Sequence, residues 1–427
     1  MRQAVQKQNG YVVDTVYPSF FYKEMTPLWL SSVVHFLGFT APQAAQQFSY
    51  LEIGCATGSN LLLCAANYPQ ASFVGIDFNP QHIQQARQHA QKLGLNNIEF
   101  IQGDFANFLA TNHQHFDFIV NHGTYSWVAA AQQQEILAIV AQFLKAQGIF
   151  YLHYMCYPGS ADLNAIQKLF HLLDQQHAAN SLDLAKGLCR DLQQAGAFIH
   201  QPKIEQALQA LTQSDAYLAH EFLTDHWQPL YSVDVHQQLY QQAKLSYLGS
   251  ANPCENLDSI SIPTKMQPLL QNTQAPALKE YLKDLARDAK QRIDIFQKTP
   301  QALSQQQHLT KLAAIQFNLL PHAPMQGISH FQTQIGQIAA PQALIANIFA
   351  QLKCQACSFQ DFLAQPEFAQ NPVFLMETLF LLMQAGYIHP ALQLQTPQQV
   401  HKVTQINQCL KQLDIPFQLL AQCGTAV

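Results

Sequence analysis

Charge is scarce in this chain. Of 427 residues, 22 are Lys or Arg and 27 are Asp or Glu, so 11% are charged, against about 25% in an average domain. The balance is a net −5, and no Lys/Arg run stands out. A partner gripped through its phosphates calls for such a run, so nucleic acid is not an expected partner. Long apolar runs are missing too. The richest stretch, Phe374–Met383, contains Glu377 and falls well short of the ~20 residues of a membrane span. No apolar run follows the basic residues of the first ten positions, so no secretory signal is read there. A cytoplasmic protein without stable membrane insertion is expected. Nine cysteines, an odd number scattered along a long chain, argue for free thiols and against a disulfide framework. Cys354 and Cys357 form a lone CxxC inside a helix-like stretch, residues 342–364. Zinc would need two further ligands at matching spacing, so no metal is expected.

Apolar residues are plentiful, at 48%, and the length suits two or three domains. From Phe48 to Met155 the runs FSYLEI, ASFVGID, IEFIQGD, FDFIVN and GIFYLHYM alternate with the helically spaced stretches Asn60–Asn67, Gln81–Leu93 and Gln132–Leu144. That alternation predicts an α/β fold, a doubly wound, Rossmann-like parallel sheet. Residues 1–159 are expected to form this core. Residues 160–300 read as a helical middle segment, with a strand-like piece at Leu245–Asn252 and a last helical stretch over Pro276–Phe296. Residues 301–427 read as a helix-rich C-terminal domain, in which Phe374–Leu394 resembles the helix and hairpin of a winged-helix unit.

The first strand runs into Leu51-Glu52-Ile53-Gly54-Cys55-Ala56-Thr57-Gly58-Ser59-Asn60. A glycine-rich turn between strand and helix lets a ligand approach the backbone and the helix N-terminus. Asp77 closes the second strand about 20 residues further on, where a carboxylate can accept hydrogen bonds from ribose hydroxyls. A dinucleotide fingerprint would place a third glycine where Ser59 stands. Glu52 instead suits a ligand with an ammonium end, and S-adenosylmethionine (AdoMet) has one. Asp104, at the end of the third strand, is placed to accept from an adenine amino group, with Phe78 or Phe105 packing on the ring.

These residues resemble a known family. LEIGCATGSNLLLCAANYPQASFVGIDFNPQHI is similar to the AdoMet-binding half of class I methyltransferases. Tyr17-Pro18-Ser19-Phe20 with Thr26-Pro27 resembles the family's N-terminal capping segment, although Met25 replaces the usual His of THP. Asn121-His122-Gly123-Thr124-Tyr125-Ser126-Trp127-Val128 resembles its HGxYSWV element, and Tyr154–Gly159 its YNxYPG. His220-Glu221-Phe222-Leu223, Trp227-x-Pro229-Leu230-Tyr231 and Arg292-Ile293-Asp294-Ile295-Phe296 resemble the methyltransferase regulatory domain. The family is that of bacterial methyltransferases with this domain, including rickettsial-type lysine methyltransferases of outer-membrane proteins.

The resemblance implies AdoMet as cofactor, held by Glu52, Gly54, Ala56, Gly58, Asn60, Asp77, Phe78, Asp104, Phe105, Asn121 and Tyr17. The acceptor is expected to be a protein lysine, on an outer-membrane protein among others, with a small molecule or peptide as the alternative. An AdoMet-binding regulator without turnover is a third reading. DNA methylation is disfavoured, because Asn121-His122-Gly123-Thr124 stands where such enzymes carry an Asn/Asp-Pro-Pro-aromatic element. Aromatic walls after the fourth and fifth strands, Tyr125, Trp127 and His122 facing Tyr154, Tyr157 and His153, are expected to line the acceptor channel. Tyr125 and Tyr157 would orient the amine, and His122 or Glu221 would take its proton.

Overall fold

The computed structural model describes residues 6–176, 180–392 and 397–427. The five apolar runs form strands β1 (Ser49–Ile53), β2 (Ser72–Asp77), β3 (Ile98–Gln102), β4 (Phe116–Asn121) and β5 (Leu144–Met155), all parallel. Two more strands, β6 (Leu245–Ser250) and β7 (Gln291–Lys298), extend the sheet to the order β3-β2-β1-β4-β5-β7-β6. Strand β7 runs antiparallel to both its neighbours. Strand β6 falls on the strand-like piece read at Leu245–Asn252, whereas β7 comes from a stretch expected to be helical. The helix expected over Pro276–Phe296 ends at Arg287, where Asp288 takes a left-handed φ of 50°. Beyond it Arg292, Asp294 and Phe296 alternate with Ile293 and Ile295, the two-residue period of a strand.

That period sorts the core into two layers. Tyr50, Phe73, Phe118, Tyr151 and Ile295 face one side, in a cluster with α1 (Pro27–Phe36), α2 (Ser59–Asn67), α3 (Pro80–Lys92) and the C-terminal region. Leu51, Val74, Ile119, Phe150 and Phe296 face the other, against α4 (Phe105–Thr111), α5 (Ala130–Phe143) and a later helix over Ser232–Ala243. Each such fully buried side chain stabilises the fold by roughly 1.5–3 kcal/mol. A third cluster joins α6 (Ala161–Gln176), α7 (Ser181–Gln194) and α8 (Asp215–Phe222) around Phe170, Leu218 and Phe222, with Val12 of the N-terminal hairpin packed among them.

In the C-terminal region the helix Pro372–Gln384 leads into strand Ile388–Pro390. That strand pairs with Gln316–Leu319, which also pairs with Cys357–Ser358. The partner is therefore an upstream strand and not the second arm of a hairpin; Leu394 lies outside the described residues. The helix-like stretch 342–364 is broken. Its first helix ends at Cys354, and Ser358 and Asp361 form a capping box that starts another at Phe359. Cys354 is consequently exposed and Cys357 buried, both as free thiols. Among the described residues no helix is long and apolar enough to cross a membrane.

Candidate functional site

The strand order reverses between β1 and β4, and open parallel sheets bind ligands beyond the C-terminal ends of their strands at such a point. A cleft of about 1150 Å³, counting the open solvent at its mouth, lies there. It is walled by the turn after β1, by the ends of β2 to β4, and by a strap of N-terminal residues, 11–26.

The turn is shaped by sterics. Gly54 and Gly58 both take a φ of 74°. A Cβ on Gly54 would stand 2.3 Å from Thr124 Oγ1, and one on Gly58 2.4 Å from the Phe100 ring. Ala56 also has a positive φ, 46°, and its N–H donates to Asp77 Oδ2 at 2.9 Å. The other Asp77 oxygen accepts from Asn79 N–H at 2.9 Å. Asn79 in turn caps α3. No side chain caps α2, so its first N–H groups are open to an anionic group.

The strap is tied across this floor from several directions. Asn60 Oδ1 accepts from Tyr22 N–H at 3.0 Å, and His82 Nε2 from Tyr17 N–H at 3.1 Å. Asn79 Nδ2 donates to the Val13 carbonyl at 3.1 Å, and His220 Nε2 to that of Thr15 at 2.8 Å. Tyr22 stacks on His122 with centroids 3.7 Å apart, and His122 stacks on His153 at 4.1 Å. Burial and the neighbouring His153 hold His122 well below its ordinary pKa, and burial lowers His153 to about 4. Both imidazoles are thus neutral at pH 7. His122 Nδ1 shares a 2.8 Å hydrogen bond with the Tyr151 hydroxyl.

Carboxyl groups line the walls. Burial, and then Asp77, pushes the Glu52 carboxyl up to about 8, and its Oε2 has no hydrogen-bond partner. Burial raises Glu221 to about 7, with Tyr17 and Trp127 pulling it back. The cavity lining holds Glu52, Asp77 and Asp104 and, among the described residues, no lysine or arginine. No group of three or more His, Cys, Asp or Glu among those residues is placed to hold a metal.

Most of the expected cofactor residues come together. Glu52, Gly54, Ala56, Asn60, Asp77, Phe78, Asp104, Phe105 and Tyr17 all line the cavity. Asp104 spends one oxygen capping α4, accepting from Asn107 N–H at 2.8 Å. Gly58 and Asn121 stand behind the wall. Gly58 packs on Phe100, and Asn121 is fully buried, donating to the Ile53 carbonyl at 2.9 Å to tie β4 to β1. These residues fit AdoMet: the orphaned Glu52 oxygen suits its ammonium, the open α2 N-terminus its carboxylate, and Asp77 its ribose.

The expected acceptor rim does not assemble. His122 alone of its catalytic candidates lines the cavity. Tyr125 is fully buried in the second core layer, its hydroxyl donating to Gln238 Oε1 at 3.1 Å. Tyr154 alternates with His153 along β5 and therefore faces that same layer. Trp127 is 3% exposed and stands behind His153. Tyr157 packs against Tyr231 with tilted rings and accepts from Asn164 Nδ2. Glu221 stands behind the strap, its Oε1 accepting from the Tyr17 hydroxyl at 3.4 Å. Tyr11, Tyr22, His82 and Thr124 line the cavity and were not anticipated; for Tyr11, Tyr22 and His82 the partners lie far away in sequence. Tyr125→Phe is expected to keep turnover within about twofold and cost about 1 kcal/mol of stability, one ordinary hydrogen bond. Initial rates beside thermal unfolding check this; a tenfold rate loss at unchanged stability would return Tyr125 to the acceptor site.

The family described as methyltransferase domain matches residues 45–232, and that described as predicted methyltransferase regulatory domain matches residues 214–298. An uncharacterised protein of Synechocystis sp. is 29% identical over 90% of this chain and 76% of its own length. An uncharacterised protein of Rickettsia prowazekii is 29% identical over 56% of this chain and 44% of its own length. Among solved structures, PKMT2 from Rickettsia typhi in complex with AdoHcy superposes with a TM-score of 0.68 at 21% identity. That alignment covers 88% of this chain and 77% of the other, a likeness of fold that includes the middle and C-terminal regions.

Proposed function

We propose that this chain, an AdoMet-dependent methyltransferase with a methyltransferase regulatory domain, N-methylates lysine side chains of a protein acceptor. One observation carries the reading: a cavity lined by carboxylates and aromatic rings and, among the described residues, by no lysine or arginine. Such walls favour a cationic acceptor over a phosphorylated one. The fold shared with PKMT2 of Rickettsia typhi supports it as well.

When bound, AdoMet supplies an electrophilic methyl group on a sulfonium. The chain's own work is to hold, align and keep water out. The turn at Gly54–Gly58 and Asp77 would hold the cofactor, and the strap, with the neutral stacked pair Tyr22 and His122, would wall the same cavity. A lysine amine must first lose its proton, which at pH 7 costs roughly 4.6 kcal/mol from a pKa near 10.4. Desolvation among aromatic rings lowers that cost. Glu221, raised to about 7, is matched to take a proton near neutral pH. His122, held well below its ordinary pKa, is a poor acceptor by comparison.

Acetylating the lysines of an acceptor-containing cell extract tests the reading. The transfer of labelled methyl groups to protein is expected to fall at least tenfold. Undiminished labelling of acetylated protein, or label confined to small molecules, would overturn it.

A further inference from the structure

Four rings and one carboxylate meet on the strap side of the cavity. Tyr17, Phe20 and Tyr22 come from the strap, and all three line the cavity. Tyr217 and Glu221 come from α8, where their four-residue spacing sets them on one face. Centroid distances are 5.7 Å for Tyr17–Phe20, 6.2 Å for Phe20–Tyr22, 6.0 Å for Phe20–Tyr217 and 6.4 Å for Tyr17–Tyr217. Glu221 Oε1 accepts from the Tyr17 hydroxyl at 3.4 Å. Phe20 remains 36% exposed, a phenyl ring left open to solvent at the mouth of a ligand site.

We propose that Tyr17, Phe20, Tyr22, Tyr217 and Glu221 form the pocket for the acceptor's ammonium group, taking lysine and its methylated forms. A cation is attracted to an aromatic face within about 6 Å of its centroid, and rings spaced as these are can share one cation. The cofactor's ammonium, ribose and carboxylate are answered elsewhere, by Glu52, Asp77 and the α2 N-terminus, so Glu221 is a further carboxylate that those contacts leave unused, and Tyr17, expected at the cofactor, is tied to it instead. Burial, and then the Glu221 charge, pushes the hydroxyls of Tyr17, Tyr22 and Tyr217 up. The rings therefore stay neutral beside an acid. Tyr217 and Glu221 open the segment matched by the regulatory-domain family, residues 214–298. That segment thus supplies part of the acceptor pocket itself.

The proposal takes its occupant from the lysine reading, and binding separates the two. The probe is a peptide carrying Nε-trimethyllysine, titrated calorimetrically onto the full chain saturated with S-adenosylhomocysteine (AdoHcy). Wild type is expected to bind it. Phe20→Ala, at an exposed ring, and the isosteric Glu221→Gln are each expected to weaken it at least tenfold, and at least fivefold more than either weakens AdoHcy. Absence of wild-type binding, or equal binding by both variants, overturns the pocket. So does a parallel loss of AdoHcy affinity, which would assign the cluster to the cofactor. Lysine methylation with probe binding indifferent to both substitutions fells the pocket and leaves the reading. Probe binding lost in the variants, in an enzyme that methylates no lysine, supports the pocket and fells the reading.

Discussion

Arg292→Ala is expected to destabilise the protein by about 3–5 kcal/mol, the cost of leaving buried charges without their partner. Arg292 is 4% exposed on β7 and faces three carboxylates. It reaches both Asp294 oxygens, at 2.9 and 3.1 Å, together with Asp284, Glu280 at 3.2 Å and the Tyr247 hydroxyl at 2.8 Å. Asp294 and Asp284 are themselves buried. Burial would push Asp294 up, but Arg292, His236 and the Tyr154 hydroxyl outweigh it and hold the carboxyl below its ordinary value. The cluster fastens three elements. Asp284 and Glu280 lie on the helix Pro276–Arg287, and Asp284 also accepts from Ser232 at the start of the helix Ser232–Ala243.

With the guanidinium gone, Asp284 and Asp294 would remain buried side by side, and the outer strands would lose their clamp. Arg292→Lys is expected to recover only part of the loss, because an ammonium cannot fork between carboxylates as a guanidinium does. Denaturant unfolding measures both. A midpoint for Arg292→Ala within about 0.5 kcal/mol of wild type would mean that the cluster contributes nothing net to stability, as exposed pairs often do.

The cofactor half of the site was legible because its signals are local. Gly54, Ala56, Gly58 and Asp77 sit within one strand–turn–helix–strand unit, and the steric demand of a positive φ is written in the glycines themselves. The acceptor half was misread at two points of geometry. Strand period places His153 toward the cavity and Tyr154 away from it. The chain after β4 then turns Tyr125 into the second core layer, where Ser126 accepts from Met155 N–H. No spacing in that loop distinguishes an aromatic that faces a ligand from one that packs beneath. Tyr22, by contrast, gains its role from contacts with Asn60 and His122 made only once the strap folds over the sheet. The last strand was hidden by the helix before it. Arg292 and Asp294 are charged, which argues for solvent exposure in sequence, and are instead buried on β7, paired through the cluster just described.

Asp77→Ala is expected to lower AdoHcy affinity at least a hundredfold, about 2.8 kcal/mol. Two effects add. Each Asp77 oxygen holds one backbone N–H, of Ala56 or Asn79, and so fixes the glycine turn and the start of α3. Each keeps a second lone pair for a ribose hydroxyl, and hydrogen bonds to a charged acceptor contribute roughly 1.5–3 kcal/mol. Asp77→Asn keeps the shape but turns one acceptor into a donor facing an N–H, so it is expected to fall between the two. Calorimetric titration of AdoHcy into wild type and Asp77→Ala, both verified as folded by thermal unfolding, is the most direct test that this cavity is the cofactor site. One AdoHcy per wild-type chain with the loss stated for Asp77→Ala is the predicted result. No binding to wild type, or equal binding by the two, would contradict it.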